Sequence, residues 1–274
     1  MILVVAIILI ASLLVAAAGG ARLGVRVMTR SKPDADGAGR LLAGATGLLA
    51  LLIGFTFAMS AERFETRRAL VVAEANALST TYLRDGLLPA PFAGRLQDLV
   101  SRYGEARLAF FGARRHSERL LKVARRTGEL QDEVWAQTAE ALKAPQAGPF
   151  ATSVLVTTNE MFDLAATRYA AQVAPVPAAI LWLLALTAVG TAVLLGYTLM
   201  LGGNRHRLAN AALLVIVGAA ITLIVDLDTP TIGAIVVPQQ PMVDEIADMK
   251  AHEARRVLVT RPAPAAAAAP ATPG

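Results

Sequence analysis

The chain has 274 residues, 55% of them hydrophobic and 17% charged, with a formal net charge of +5 and no cysteine. The missing thiols exclude disulfides, thiolate nucleophiles and cysteine-ligated zinc or iron–sulfur sites. The positive balance does not indicate nucleic acid, because 26 Lys and Arg are dispersed among 21 Asp and Glu with no RNA- or DNA-binding signature; membrane lipid phosphate is the expected counter-charge.

Residues 2–20 form the first of four uncharged apolar stretches, the others being 41–59, 176–203 and 208–225. At about 1.5 Å per residue each is long enough to cross a hydrocarbon core of roughly 30 Å as a helix. The first has no basic region before it and runs longer than a signal-peptide core, so it is expected to be retained. The expected fold class is an all-α integral membrane protein, with four transmembrane helices in two antiparallel pairs flanking a helical extramembrane domain.

Between the first pair, residues 21–40 read as a basic loop, with Arg22, Arg26, Arg30, Lys32 and Arg40 around Pro33 and Gly37. The second span carries Gly44, Gly47 and Gly54, small residues that allow close helix approach in lipid; packing within the chain is the expected use. Residues 60–84 contain no Pro or Gly and keep helical apolar spacing, so that span is expected to leave the bilayer as one long helix ending near Gly86. The run Leu87-Leu88-Pro89-Ala90-Pro91 then breaks it. Further helices read over 92–111, 114–143 and 152–173, which together make residues 60–175 a helical extramembrane domain. Within it Arg115, Arg119, Lys122 and Arg126 share one helical stripe that could attract anions or lipid headgroups, although a solvated face is the plainer reading.

The third and fourth spans are joined by too few residues to hold more than a turn, which makes them a hairpin. Residues 226–257 read as a post-membrane segment with an irregular start and a short helix over 242–257. Residues 258–274, rich in Pro and Ala, read as a disordered tail. His116, His206 and His252 lack any ligand spacing, and no Walker A, dinucleotide or G-x-S-x-G pattern occurs, so no metal, cofactor or enzymatic activity is expected.

The junction Gly54-Phe55-Thr-Phe-Ala-Met-Ser-Ala-Glu62-Arg63-Phe64-Glu-Thr-Arg-Arg68, with Asn76 beyond it, resembles the bestrophin family, in which a Gly-Phe pair leads from the second transmembrane helix into an acidic-Arg-aromatic stretch. Leu227-Asp228…Pro230…Gly233…Pro241-Met242 is similar to the segment after the last span of bacterial bestrophins. Glu74-Ala-Asn-Ala-Leu…Tyr82-Leu-Arg-Asp-Gly-Leu-Leu-Pro89 and Asn159-Glu160-Met-Phe-Asp163…Arg168 look like the bacterial bestrophin-like domain family, most of whose members have no assigned function. The resemblance spans roughly residues 1–245. It implies a pentameric homo-oligomer that passes chloride or another anion, with Leu51 and Phe55 at the pore constriction and Gly47 where the family carries a bulky apolar residue. It also implies a junction network of Glu62, Arg63, Arg68, Asn76, Glu160 and Asp163, in which Arg63 is buried beside Glu160 or Asp163. Asp226 and Asp228 supply too few oxygens for a calcium site and read as a turn at the lipid boundary.

The expected location is the inner membrane. Basic residues concentrate in 21–40 and 202–207, which the positive-inside rule places in the cytoplasm, opposite to the arrangement that bestrophins imply. The rival functional reading is a non-conducting membrane-anchored scaffold or sensor whose helical domain binds a protein partner.

Overall fold

The computed structural model describes residues 2–30, 34–112, 118–145, 148, 150–202, 207–229 and 233–260. Among these every regular element is an α-helix: α1 (Ile2–Met28), α2 (Ala35–Asp85), α3 (Phe92–Gly112), α4 (Glu118–Leu142), α5 (Phe150–Val173), α6 (Ala178–Leu201), α7 (Arg207–Asp228) and α8 (Gln240–Thr260). Four helices are long and apolar enough to cross a membrane, in accord with the expected fold class.

The basic loop expected over 21–40 is mostly helix. α1 runs on through Arg22 and Arg26, and α2 begins at Ala35, where the Asp34 carboxylate accepts the Gly37 N–H at 2.8 Å as an N-cap. α2 continues unbroken out of its apolar half and stops at Asp85, ahead of the two prolines. α4 is described from Glu118 rather than Arg114, the residues before Glu118 lying outside the described ones, and α8 extends beyond the expected 242–257 at both ends. Gly148, at φ 46°, occupies the left-handed region between α4 and α5 that favours a residue without Cβ.

The chain forms two compact units, residues 1–69 with 168–237, and residues 70–167 with 238–274. In the first, Leu13 of α1, Leu49 of α2, Leu184, Ala188 and Ala192 of α6 and Leu214, Ile221 and Ile224 of α7 make one buried cluster. The tightest neighbour of α1 is α6, not its sequence neighbour α2. A Cβ at Gly20 would overlap the Val193 backbone, and one at Gly196 would overlap that of Ala17, so the two helices meet backbone to backbone. The glycines expected to serve intrachain packing, Gly44, Gly47 and Gly54, do not: a Cβ on any of them would meet nothing within 4 Å.

In the second unit α3 packs on α4 and α8. Its interior holds Leu78, Leu96, Val100, Tyr103, Val134, Met161 and Met242. Tyr103 meets Phe162 edge-on at 5.7 Å, and burial pushes its hydroxyl up to about 12.

Candidate functional site

The site is organised by the two faces of α2. With 3.6 residues per turn, Leu49, Thr56, Ser60 and Arg67 fall on one stripe, and all four are buried. Thr56 meets its hydrogen-bonding need on its own helix, donating to the Leu52 carbonyl at 2.7 Å. The opposite face carries Gly47, Leu51, Phe55 and Ala58, all exposed, with Leu51 at 55% and Phe55 at 66%. These three expected constriction residues, Gly47, Leu51 and Phe55, therefore lie on the free side of the helix, where no other part of the described chain covers them. Glu62 and Glu65 continue the same face beyond the apolar half.

The expected burial of Arg63 needs correction. Arg63 is only half-buried and donates to the Ala174 carbonyl at 3.3 Å, while Glu62, Arg68, Asn76, Glu160 and Asp163 are exposed. Arg68 pairs with Glu65 on the surface at 3.4 Å, a contact of a few tenths of a kcal/mol at most. The buried arginine of this junction is Arg67, one turn further on and 2% exposed. Its Nε donates to the Ala171 carbonyl at 3.0 Å and its Nη2 to that of Ala174 at 2.9 Å, both at the C-terminal end of α5. Its Nη1 donates to the Leu227 carbonyl at 3.3 Å, in the last turn of α7. Helix C-termini leave carbonyls without intrahelical partners, and one rigid guanidinium satisfies two such ends together. Asp228 stands 3.5 Å from Nη2 and accepts the Val176 N–H at 3.1 Å, which ties the entry of α6 to the same point. Asp226, also buried, accepts the N–H groups of Ala234 and Ile235, so the chain beyond α7 folds back onto it. Both aspartates thus spend their oxygens on backbone N–H groups and Arg67.

In the second unit Glu74, fully buried, pairs with Arg107, which also donates to the Ala165 carbonyl at 3.0 Å and lies 4.9 Å from the Phe111 ring centre. Tyr82 donates to the Met249 carbonyl at 3.3 Å and lies 3.0 Å from His252 Nδ1. Asp85, the last residue of α2, has no exposed surface and, among the described residues, no hydrogen-bond partner for either carboxylate oxygen, and burial pushes it up from 3.8 to about 8.

Of the expected basic stripe, Arg115 and the side chain of Arg119 lie outside the described residues. Lys122 is exposed, and Arg126 pairs with Glu129 at 3.3 Å and Glu133 at 3.6 Å, so that part of the surface is a face of mixed sign.

On the sequence alone, burial goes to Arg63 and no structural role to Arg67, Arg107 or, although both lie in the stretch that carries the family resemblance, Glu74 and Asp85. For Arg67, Glu74 and Asp85, all on α2, the signal was the phase of the long helix. Arg67 lies 18 residues, five turns, from Leu49, and Asp85 lies 36 residues, ten turns, from it, so the apolar stripe extended along α2 runs through both. Asn76 and Glu62 fall on the other side.

Four apolar helices, one of them, α2, prolonged well beyond its apolar half, with no metal-binding cluster among the described residues, define a multi-pass, all-helical membrane protein. The chain belongs to the Bestrophin-like domain family, which matches residues 8–242. The fold is similar to that of a bacterial bestrophin homologue from Klebsiella pneumoniae, with a TM-score of 0.67 at 15% identity over 88% of this chain and 98% of that one. A mutant of that homologue gives a TM-score of 0.66 at 15% identity over 89% and 98%. A structure described only as a membrane protein gives 0.67 at 15% over 86% and 96%. No curated protein matches the chain.

Proposed function

We propose that the protein is a homo-oligomeric membrane channel for small anions such as chloride, five copies surrounding a common axis with Leu51 and Phe55 facing it and Gly47 leaving a wider step. One observation carries this reading: the apolar half of α2 packs through Leu49 and leaves the opposite face, glycines included, without neighbours among the described residues. A strip combining Gly44, Gly47 and Gly54 with Leu51 and Phe55 suits close contact with other copies of α2 and an apolar constriction on a pore. The pentamer and the anion come from the bestrophin resemblance. Purified protein in liposomes should release chloride above the level of empty vesicles, and Phe55→Ala should change the rate. Flux equal to empty vesicles and indifferent to Phe55→Ala defeats the channel reading.

The second reading, a membrane-anchored scaffold or sensor, draws support from the same face, which offers no polar side chain between Gly44 and Phe55 to help an ion shed water. It predicts a co-purifying protein partner. For orientation we favour an inner-membrane protein with segments 21–40 and 202–207 in the cytoplasm. Because the chain has no cysteine, a single cysteine at Arg30 should resist an impermeant thiol reagent in intact cells, and ready labelling there places the loops outside.

A further inference from the structure

We propose that a groove between α1, α6 and α7 binds one anionic glycerophospholipid, with Arg207 and Asn210 holding its phosphate. The groove encloses about 350 Å³ and lies wholly within the first unit. Its walls are apolar, with Leu14 and Ala18 from α1, Leu199 from α6 and Leu214 from α7, and its polar side chains are Arg207 and Asn210. From Arg207 to Leu214 is seven residues of helix, about 10 Å of depth at 1.5 Å per residue, so the charged end stands at the bundle's edge while the rest reaches among the spans.

That gradient selects the occupant. A free phosphate would satisfy Arg207 and leave the apolar walls uncovered, and an uncharged chain would cover the walls and leave the guanidinium unpaired. A phospholipid with a net negative headgroup does both, and basic pockets between transmembrane helices are a recurrent way of holding such headgroups. Arg207 is exposed, and among the described residues no ion pair engages it. Arg22 lies one turn beyond Ala18 on α1 and adds a second positive charge near that end of the bundle.

The test is native mass spectrometry together with thermal melting of the purified, detergent-extracted oligomer, titrated with phosphatidylglycerol, phosphatidylcholine or inorganic phosphate. Phosphatidylglycerol should remain bound and raise the melting midpoint more than phosphatidylcholine, and phosphate alone should do neither. Arg207→Ala should lower the preference for phosphatidylglycerol roughly fivefold, as expected for one basic residue at a lipid surface, while Arg207→Lys keeps most of it. Ala18→Leu, which fills the groove, should weaken both lipids. Equal binding of the two lipids to the unaltered protein, or an unchanged preference in Arg207→Ala, overturns the proposal. So does a cysteine at Ala18 crosslinking to a second copy of the chain, because the groove would then be a subunit contact.

Discussion

Asp85→Asn should make the protein more stable at pH 9 while leaving it almost unchanged at pH 5. The wild-type carboxyl is enclosed at the C-terminal end of α2, with neither oxygen hydrogen-bonded to any described residue, and burial raises it from 3.8 to about 8. About 26 residues, or roughly 39 Å of helix, separate it from the end of the apolar stretch, so water rather than lipid is its reference solvent. The negative pole of its own helix opposes the charge further. The folded state binds the proton more tightly than the unfolded chain, so between pH 4 and 8 stability falls as pH rises, and above about 8 the full cost of the buried charge is present. Asparagine cannot ionise and removes that cost, on the order of 5 kcal/mol. Thermal midpoints in detergent should diverge between pH 5 and pH 9, the wild type falling and the variant holding level. Parallel profiles would mean that the carboxylate has a partner or water that neutralises its charge.

Arg67→Ala should cost about 3–5 kcal/mol and lower the melting midpoint or the yield of assembled protein sharply, because it strips a buried guanidinium from Asp228 and from three carbonyls at once. Arg63→Ala removes one hydrogen bond from a half-buried side chain and should cost about 1 kcal/mol. Arg67→Lys should fall between, because a single ammonium cannot span the ends of both α5 and α7. Similar melting curves for the two alanine variants would contradict the role given to Arg67.

How far the chain declares itself depends on which physical signal is strong. The four spans were legible because uncharged runs of that length have few other uses, and the long α2 because nothing between residues 60 and 84 breaks a helix. The extent of α1 was not, because Arg22 and Arg26 look like loop charges until the helix is seen to continue through them. The pairing of α1 with α6 escaped because Gly20 and Gly196 are far apart in sequence and their match is purely tertiary. Arg63 was preferred to Arg67 because family likeness marks Arg63, whereas burial follows the phase set by Leu49. In that phase Leu51 and Phe55 fall opposite Leu49, on the uncovered side of α2.

The proposed ion path runs along this uncovered face of α2, and thiol accessibility tests it directly. Cysteine is introduced at Leu51 in one protein and at the packed Leu49 in another, both on the naturally cysteine-free chain. Chloride flux is then followed in liposomes before and after a charged, impermeant thiol reagent. The reagent should alter flux at once in Leu51→Cys and leave Leu49→Cys unchanged. Flux through Leu51→Cys that survives complete labelling would show that this face does not line the ion path.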